Sequence, residues 1–447
     1  MITKLKNRRQ QCFRGFLCFF SFFLLLSCAS VEHYKDIDKA VFSGDYEKGF
    51  SLVEEARGKA YKDRDAVIFY LDAGMLAHYS GNYEKSSQYL QTGERSIEAA
   101  FTKSLSLAAG SFLVNDNVME YSGEDYEDLY LNVFNALNYV HQGKTDGALV
   151  EVRRMDNKIK HLSTKYGTAI TNAQKNLLEN DTDIPYDKKA ARIEFSNSAL
   201  ARYLGMLLYR TEGLVDDARI DRDQIKLAFA NQRAVYSFPV PASINDELAI
   251  PRGKARINVL SFNGLSPHKV ENVTRIPISG SNWIKISLPV FTPRPSRIDR
   301  TVVMLDTGES FELELLEDLG AIAAETFNQR AALIYLKTVI RSVAKTTSSA
   351  ALGQGAGQTD DASASLLLSL LSLGTQIYAD ASEQADLRMS RYFPDRALVG
   401  GITVDPGVYT IVVIYYDSNN AVIQKLEFEN FEVDSGRLNL LEAVCIQ

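Results

Sequence analysis

The sequence predicts an α+β multidomain chain, with an all-α helical repeat domain in front and an antiparallel β-sandwich-like domain, interrupted by a helical hairpin, behind it. Three observations carry this. Apolar residues recur at helical spacing over 31–233, a short Gly-x-Tyr string returns along that half, and past about Val235 the pattern changes to short alternating runs bounded by turn residues.

A segment of different character precedes both halves. Lys4, Lys6, Arg8, Arg9 and Arg14 form a basic leader, 15–26 is an almost unbroken apolar run, and Leu25-Leu26-Ser27-Cys28 closes it. A basic leader stays on the cytoplasmic side while a short apolar run enters the translocation machinery, and the cleaved bond needs a small residue before it. The ending resembles a bacterial lipobox, which implies a signal peptide over 1–27 and acylation of Cys28 as the new amino terminus. Each buried methylene of an acyl chain contributes about 0.8 kcal/mol, so two or three chains hold a protein stably on a membrane. The run is shorter than the roughly 20 apolar residues of a spanning helix. Ala29 is not an acidic retention signal, so the resemblance to lipoproteins of diderm bacteria implies a location in the envelope, on the outer membrane facing the periplasm, with surface exposure left open.

Without residues 1–27 the chain keeps 44 basic and 56 acidic residues, a net charge of about −12 with histidine neutral. That balance disfavours nucleic acid or anionic lipid as a partner. Cys12 and Cys18 leave with the signal and Cys28 is acylated, so Cys445 is the remaining thiol and no internal disulfide can form. The fold must rest on its cores, in domains expected over 28–235 and 236–447.

Phe69, Leu71, Met75, Leu76 and Tyr79 make one apolar stripe of the front half, and Leu129, Val133, Phe134, Leu137 and Val140 another. Gly44-Asp45-Tyr46-Glu47-Lys48-Gly49 and Gly81-Asn82-Tyr83-Glu84-Lys85-Ser86 are near copies 37 residues apart. Gly143 with Ala148, and Gly213 with Ala218, repeat the skeleton more loosely. It resembles the turn of a tetratricopeptide repeat, in which Gly ends one helix without a Cβ penalty, Tyr46 or Tyr83 packs back between helices, and a small residue lets the helices approach. The later spacings of 62 and 70 residues make the array degenerate, with room for an extra pair near Gly123-Glu124-Asp125-Tyr126. A non-repetitive helical bundle is the alternative. A stacked array would offer an extended surface suited to protein segments.

Pro239, Pro241 and Pro251 mark the boundary to the second half. Strands are expected over 256–262, 273–278, 283–288, 302–305, 311–315, 407–416, 422–428, 431–433 and 438–444, with turns at Asn263-Gly264, Asp306-Thr307-Gly308 and 417–420. The helical insertion covers about 318–390, with helices over 321–344 and 366–388. Between them, 345–365 is Ala, Ser, Thr, Gly and Gln with Asp360-Asp361, too poor in apolar surface to order itself, and is expected to be a flexible loop. The apolar stretch 366–373 either packs on the sheet or serves as an oligomer or shallow membrane contact.

No chemistry is evident. His33, His78, His141, His161 and His268 are scattered without metal-ligand spacing, no nucleophile elbow or phosphate loop occurs, and neither a cofactor nor a small-molecule substrate is implied. Glu120, Glu124, Asp125, Glu127 and Asp128 could supply an acid and a base for glycan cleavage; a solvated helix start is the simpler reading. Glu151, Arg153, Arg154 and Asp156 read as helix-surface ion pairs.

Several strings stand together: Tyr70-Leu71-Asp72-Ala73-Gly74-Met75-Leu76-Ala77-His78-Tyr79, Asn115-Asp116-Asn117, Tyr121-Ser122-Gly123-Glu124-Asp125-Tyr126-Glu127, Ala148-Leu149-Val150-Glu151-Val152-Arg153-Arg154, Asp386-Leu387-Arg388, Phe393-Pro394-Asp395-Arg396 and Pro406-Gly407-Val408-Tyr409. In this order the chain resembles a family of uncharacterised bacterial envelope lipoproteins with a tetratricopeptide-like front half. Met389-Ser390-Arg391-Tyr392 departs from that family's aromatic-rich segment. The resemblance implies a link to cell-wall synthesis by gene neighbourhood and assigns no catalytic residue. The expected function is a lipid-anchored scaffold or accessory factor, not an enzyme, holding envelope proteins on its repeat surface. The alternatives are a subunit of a secretion or pore assembly through 366–373, or a carboxylate-dependent glycan-cleaving enzyme.

Overall fold

The computed structural model describes residues 28–106, 116–179, 194–279, 282–356 and 384–447. The front half is a succession of helix pairs: α1 (Cys28–Phe42) with α2 (Tyr46–Ala56), α3 (Ala66–Tyr79) with α4 (Tyr83–Ser106), and α5 (Asp125–His141) with α6 (Thr145–Leu162). Among the described residues one helix, α7 (Gly167–Glu179), precedes the pair α8 (Ala199–Thr211) and α9 (Val215–Asn231).

Each pair is joined by the same turn. Gly44, Gly81, Gly143 and Gly213 have φ between 70° and 79°, a left-handed conformation that costs an L side chain roughly 1–2 kcal/mol. The amide after each glycine bonds back to the carbonyl five residues earlier, as Asp45 N to Ala40 O at 2.9 Å, Asn82 N to Ala77 O, Lys144 N to Tyr139 O and Leu214 N to Tyr209 O, each at 2.8 Å. This closing bond satisfies carbonyls that the helix end leaves free. Successive helices pack on one another, α3 against α4, α4 against α5, α5 against α6 and α6 against α8. The expected extra pair near Gly123 is instead the amino-terminal cap of α5, where Glu124 and Glu127 form a capping box. Helix α7 lies within the longer spacing before Gly213.

The second half forms β1 (Ala255–Asn263), β2 (His268–Ser279), β3 (Asn282–Thr292), β4 (Arg300–Leu305), β5 (Ser310–Glu312) and β6 (Glu314–Asp318), then β7 (Arg396–Val404), β8 (Gly407–Tyr416), β9 (Val422–Val433) and β10 (Asn439–Cys445). They make a mixed sheet in the order β10-β1-β7-β6, an antiparallel sheet β5-β4-β8-β9 and the hairpin β2-β3. The sheets are not wholly antiparallel, because β1 and β10 run parallel from Ile257↔Asn439 to Asn263↔Cys445. The run expected as one strand over 311–315 is divided. Phe311 pairs with Val303 in one sheet, Leu315 pairs with Leu398 in the other, and Leu313 crosses between them.

The mixed sheet is a middle layer. Leu260 and Phe262 of β1 join the helical core, with Phe262 4.8 Å from the ring of Phe134. Ile257, Val259, Leu441, Ala443 and Cys445 face Val303, Leu305, Ile411, Val413 and Tyr415 of the second sheet. Every residue of β1 is therefore buried. One hydrophobic cluster runs from Ile37 to Ile446, through residues on both sides of 235.

A long helix, α10 (Leu319–Ala356), separates β6 from β7 and packs on β3, α7 and α5. It carries helix through the first part of the expected loop at 345–365. The reason is cooperativity: extending a helix that the packing of its first part has already nucleated costs far less than starting one, even when the added residues have little apolar surface to bury. Of the expected second helix, 366–383 lies outside the described residues, as does the apolar stretch 366–373. Residues 384–388 are not helical. Among the described residues no helix is long and apolar enough to cross a membrane.

Candidate functional site

The chemistry of this chain is concentrated in buried carboxylates along the seam where helices meet the sheet and the segment 384–395. Asp72 stands in the middle of α3, wholly buried. Its Oδ1 accepts from Ser390 Oγ at 2.7 Å and Arg391 N at 2.8 Å, and Oδ2 accepts from Tyr61 Oη at 2.8 Å. Burial pushes this carboxyl up to about 6 against the hydrogen bonds that pull it down. Beside it, Arg391 reaches Asp38 at 2.5 Å and lies over the Tyr34 ring, while Tyr392 Oη donates to Asp38 at 3.0 Å.

Glu127 takes the same segment from α5. Oε1 accepts from Ser390 N at 2.5 Å, and Oε2 accepts from Tyr121 Oη and Glu124 N, each at 2.8 Å. Burial, with the charge of Glu124 nearby, pushes Glu127 up to about 7. Glu124 itself is salt-bridged to Lys269, and Arg330 lies 3.5 Å away. Asp125 is held by Lys165 at 2.7 Å and Tyr166 at 3.1 Å. The acidic cluster 124–128 is thus not a solvated helix start, since Glu124, Asp125 and Glu127 are all buried. A raised, buried acid is what a general acid needs. Here, however, both oxygens of Glu127 are committed to backbone amides and a tyrosine, and no surface of it is open to a substrate.

Glu317, on β6, closes the start of α8. It accepts from Tyr130, from Ser198 Oγ at 2.7 Å, from Leu200 N at 2.9 Å and from Tyr236 Oη at 2.7 Å. Burial raises its pKa despite this full set of donors. A positive helix amino terminus is a favourable place for such a group.

Glu442, on β10, is bound differently. Its Oε1 lies 2.6 Å from His78 Nε2 and its Oε2 2.8 Å from His141 Nε2, and its side chain is 6% exposed. The Tyr83 ring stacks on His141 at 4.1 Å and 7°. His78 Nδ1 faces Asn138 Oδ1 at 2.7 Å. Asn138 Nδ2 donates to Ser86 Oγ, which donates to Gly74 O, each at 2.8 Å, so the amide must present its oxygen to the imidazole. His78 then donates from both nitrogens and is an imidazolium paired with a carboxylate. Burial opposes both charges, yet the charge of His78 and bonds from both imidazoles draw Glu442 down to about 2, and Glu442 raises His78.

The residues of the repeated turns lie at this seam and on its flanks. Tyr46 is half-buried against Tyr79, 5.4 Å between rings, and Tyr83 is half-buried beside His78 and His141. Ala148 and Ala218 are fully buried, as are Ser86 and Gly49 at the matching places. Cys28 is the first described residue and begins α1. On the solvent side, Glu94, Arg95 and Glu98 of α4, Asp128 of α5 and Arg154 and Lys158 of α6 line an open groove. Lys158 bridges Glu94 and Asp128, each at 2.7 Å, and Arg154 reaches Glu94 at 3.0 Å. Of the expected helix-surface ion pairs, Glu151 is buried and also accepts from Asn132, while Asp156 pairs with Arg202 of α8 at 2.6 Å.

Asp72, Glu317 and Glu442 were not singled out from the sequence. The available signal was a lone carboxylate within an apolar string, as in Phe69-Tyr70-Leu71-Asp72-Ala73 and Leu440-Leu441-Glu442-Ala443-Val444. Among the described residues no three His, Cys, Asp or Glu side chains form a metal-binding group. Comparison of the chain with protein-family models, with curated proteins and with solved structures found no match to any of them.

Proposed function

We propose that this chain is a lipid-anchored envelope lipoprotein whose tetratricopeptide-like helix pairs form a docking scaffold for envelope proteins. The observation that carries the reading is the stacked helical region itself. Four identically closed turns set helix pairs side by side, and the α4–α6 groove displays charged side chains of both signs to solvent. Such a surface suits the polar rim of a protein partner. The seam carboxylates support a structural use of the chain's acids over a catalytic one, because each is bonded to several donors inside the fold. The lipobox-like ending at Cys28 supports the anchor, and a tether raises effective concentration toward other membrane-bound proteins, so modest affinity suffices. The resemblance to envelope lipoproteins supports looking for the partners in cell-wall synthesis.

The test is crosslinking in intact cells followed by mass spectrometry of the purified chain, with Cys28→Ala as the control. Capture of cell-wall synthases or their activators, lost in Cys28→Ala, is the expected result. The same partners in equal yield without Cys28 would remove the anchor from the reading. Capture of transport components would replace scaffold with assembly subunit.

A further inference from the structure

The antiparallel sheet β5-β4-β8-β9 ends on β9, and among the described residues no strand pairs with its outer edge. Beside that edge β9 is regular: Ile411↔Phe428, Val412↔Glu427, Val413↔Leu426, Ile414↔Lys425 and Tyr415↔Gln424. Past Phe428 the register shifts, and Asn430 adopts a φ of 55°, so the flat part of the edge stops there. An open edge presents a row of unpaired backbone donors and acceptors, a template for another strand.

The side chains along this stretch distinguish between candidate strands. Leu426 and Phe428 lean toward the inter-sheet cluster, while Lys425 and Glu427 are exposed on the other face, 3.2 Å apart. In antiparallel pairing, opposed residues share a face. A strand pairing with a second copy of itself about Leu426 sets Lys425 against Glu427 of the second copy and Glu427 against its Lys425. Sliding one pair either way sets Lys425 against itself or Glu427 against itself, and like charges directly opposed are destabilising. A lone lysine discourages any edge partner, but a Lys-x-Glu pair inverted on itself is self-complementary.

We infer that β9 is a self-association edge: two copies of this chain pair antiparallel through 424–428, about a two-fold axis at Leu426, and join their sheets into one. The interface is isologous, so both ion pairs form or neither does. This inference does not depend on the scaffold or on the anchor.

Sedimentation of the full chain over a concentration series tests it. The expected result is a monomer–dimer equilibrium in the wild type. Lys425→Glu and Glu427→Lys each convert both ion pairs into like-charge pairs and weaken the dimer at least tenfold, and the double swap Lys425→Glu with Glu427→Lys restores it. These side chains are solvent-facing, so the fold is unaffected. As a second measurement, a mixture of Lys425→Cys and Glu427→Cys proteins forms a disulfide-linked dimer under mild oxidation that neither protein forms alone, because only opposed positions come within disulfide reach. A wild type that stays monomeric throughout overturns the inference. Single variants that associate as tightly as the wild type, or cysteine variants that crosslink equally alone and mixed, would also overturn it.

Discussion

Replacing Glu442 with glutamine keeps the shape of the side chain that pins β10 to the helices and removes its charge. In the folded chain the Glu442 carboxyl is drawn from 4.5 to about 2. At about 1.4 kcal/mol per pH unit, that depression corresponds to about 3 kcal/mol of stability near neutral pH. The figure agrees with the roughly 3–5 kcal/mol lost when one partner of a buried pair is removed. His78 would lose its counter-charge while still facing the oxygen of Asn138, which the Ser86 bond holds in place. The pH dependence has a definite sign at each end. Because the folded Glu442 value is depressed, its contribution is complete above about 4.5 and is lost as pH falls toward 2. Because the folded His78 value is raised, its contribution is complete below 6.5 and is lost as pH rises through the folded value. The difference between wild type and Glu442→Gln in urea unfolding, followed by far-ultraviolet circular dichroism, is therefore greatest between about pH 4.5 and 6.5 and shrinks on both sides. A difference below about 0.5 kcal/mol at pH 6, or one that does not change with pH, would refute the ion-pair assignment.

The other seam acids divide by their donors. Asp72→Asn can keep its oxygen toward Ser390 and Arg391 and turn its amide to the Tyr61 hydroxyl. Since burial already holds the acid up at about 6, ionised Asp72 costs stability above that pH and the cost disappears below about 4. The substitution is therefore expected to leave stability nearly unchanged below about pH 4 and to raise it at pH 7, by up to about 3 kcal/mol, the amount that ionisation costs there. Glu127→Gln likewise removes an acid that burial holds up to about 7, but it must set its amide against Ser390 N or Glu124 N, so at pH 7 it is expected to leave the protein about 1–3 kcal/mol less stable than Asp72→Asn does in the same unfolding assay; equal effects of the two substitutions would count against this donor map. In the helix array, a methyl group at Gly74 would lie 2.6 Å from Leu90 Cδ2, and Gly74→Ala should cost about 1–3 kcal/mol despite the better helix propensity of alanine. Thermal unfolding of Gly74→Ala combined with Leu90→Ala should then show less than the sum of the two losses, and strict additivity would place the strain elsewhere.

The coarse architecture was legible because its signals are short-range. Helical spacing such as Phe69, Leu71, Met75, Leu76 and the switch to alternating runs after Val235 report local burial periodicity, and a glycine turn closes through bonds spanning six residues. Sheet membership was less legible. Nothing near Phe311-Glu312-Leu313-Glu314-Leu315 signals that the chain changes sheets at Leu313, and nothing in β10 signals that its neighbour runs parallel. The acids at 124–128 were illegible for the same reason: helix-start chemistry favours carboxylates whether water or protein surrounds them, and only Lys269 of β2, Arg330 of α10 and Lys165, just before α7, closing on the start of α5 decide which.

By itself, then, the sequence determined the basic leader and its lipobox-like end, the charge, the helical half, the glycine turns and the onset of strands, all properties of contiguous residues. Only the tertiary structure decided that β1 is buried on both faces, that Ser390 and Arg391 are gripped by Asp72 and Glu127, and that Glu442 meets a histidine 364 residues earlier in the chain. The physical reason is that a carboxylate's role is set by its desolvation and its donors, and both are supplied by residues that the chain brings together only on folding.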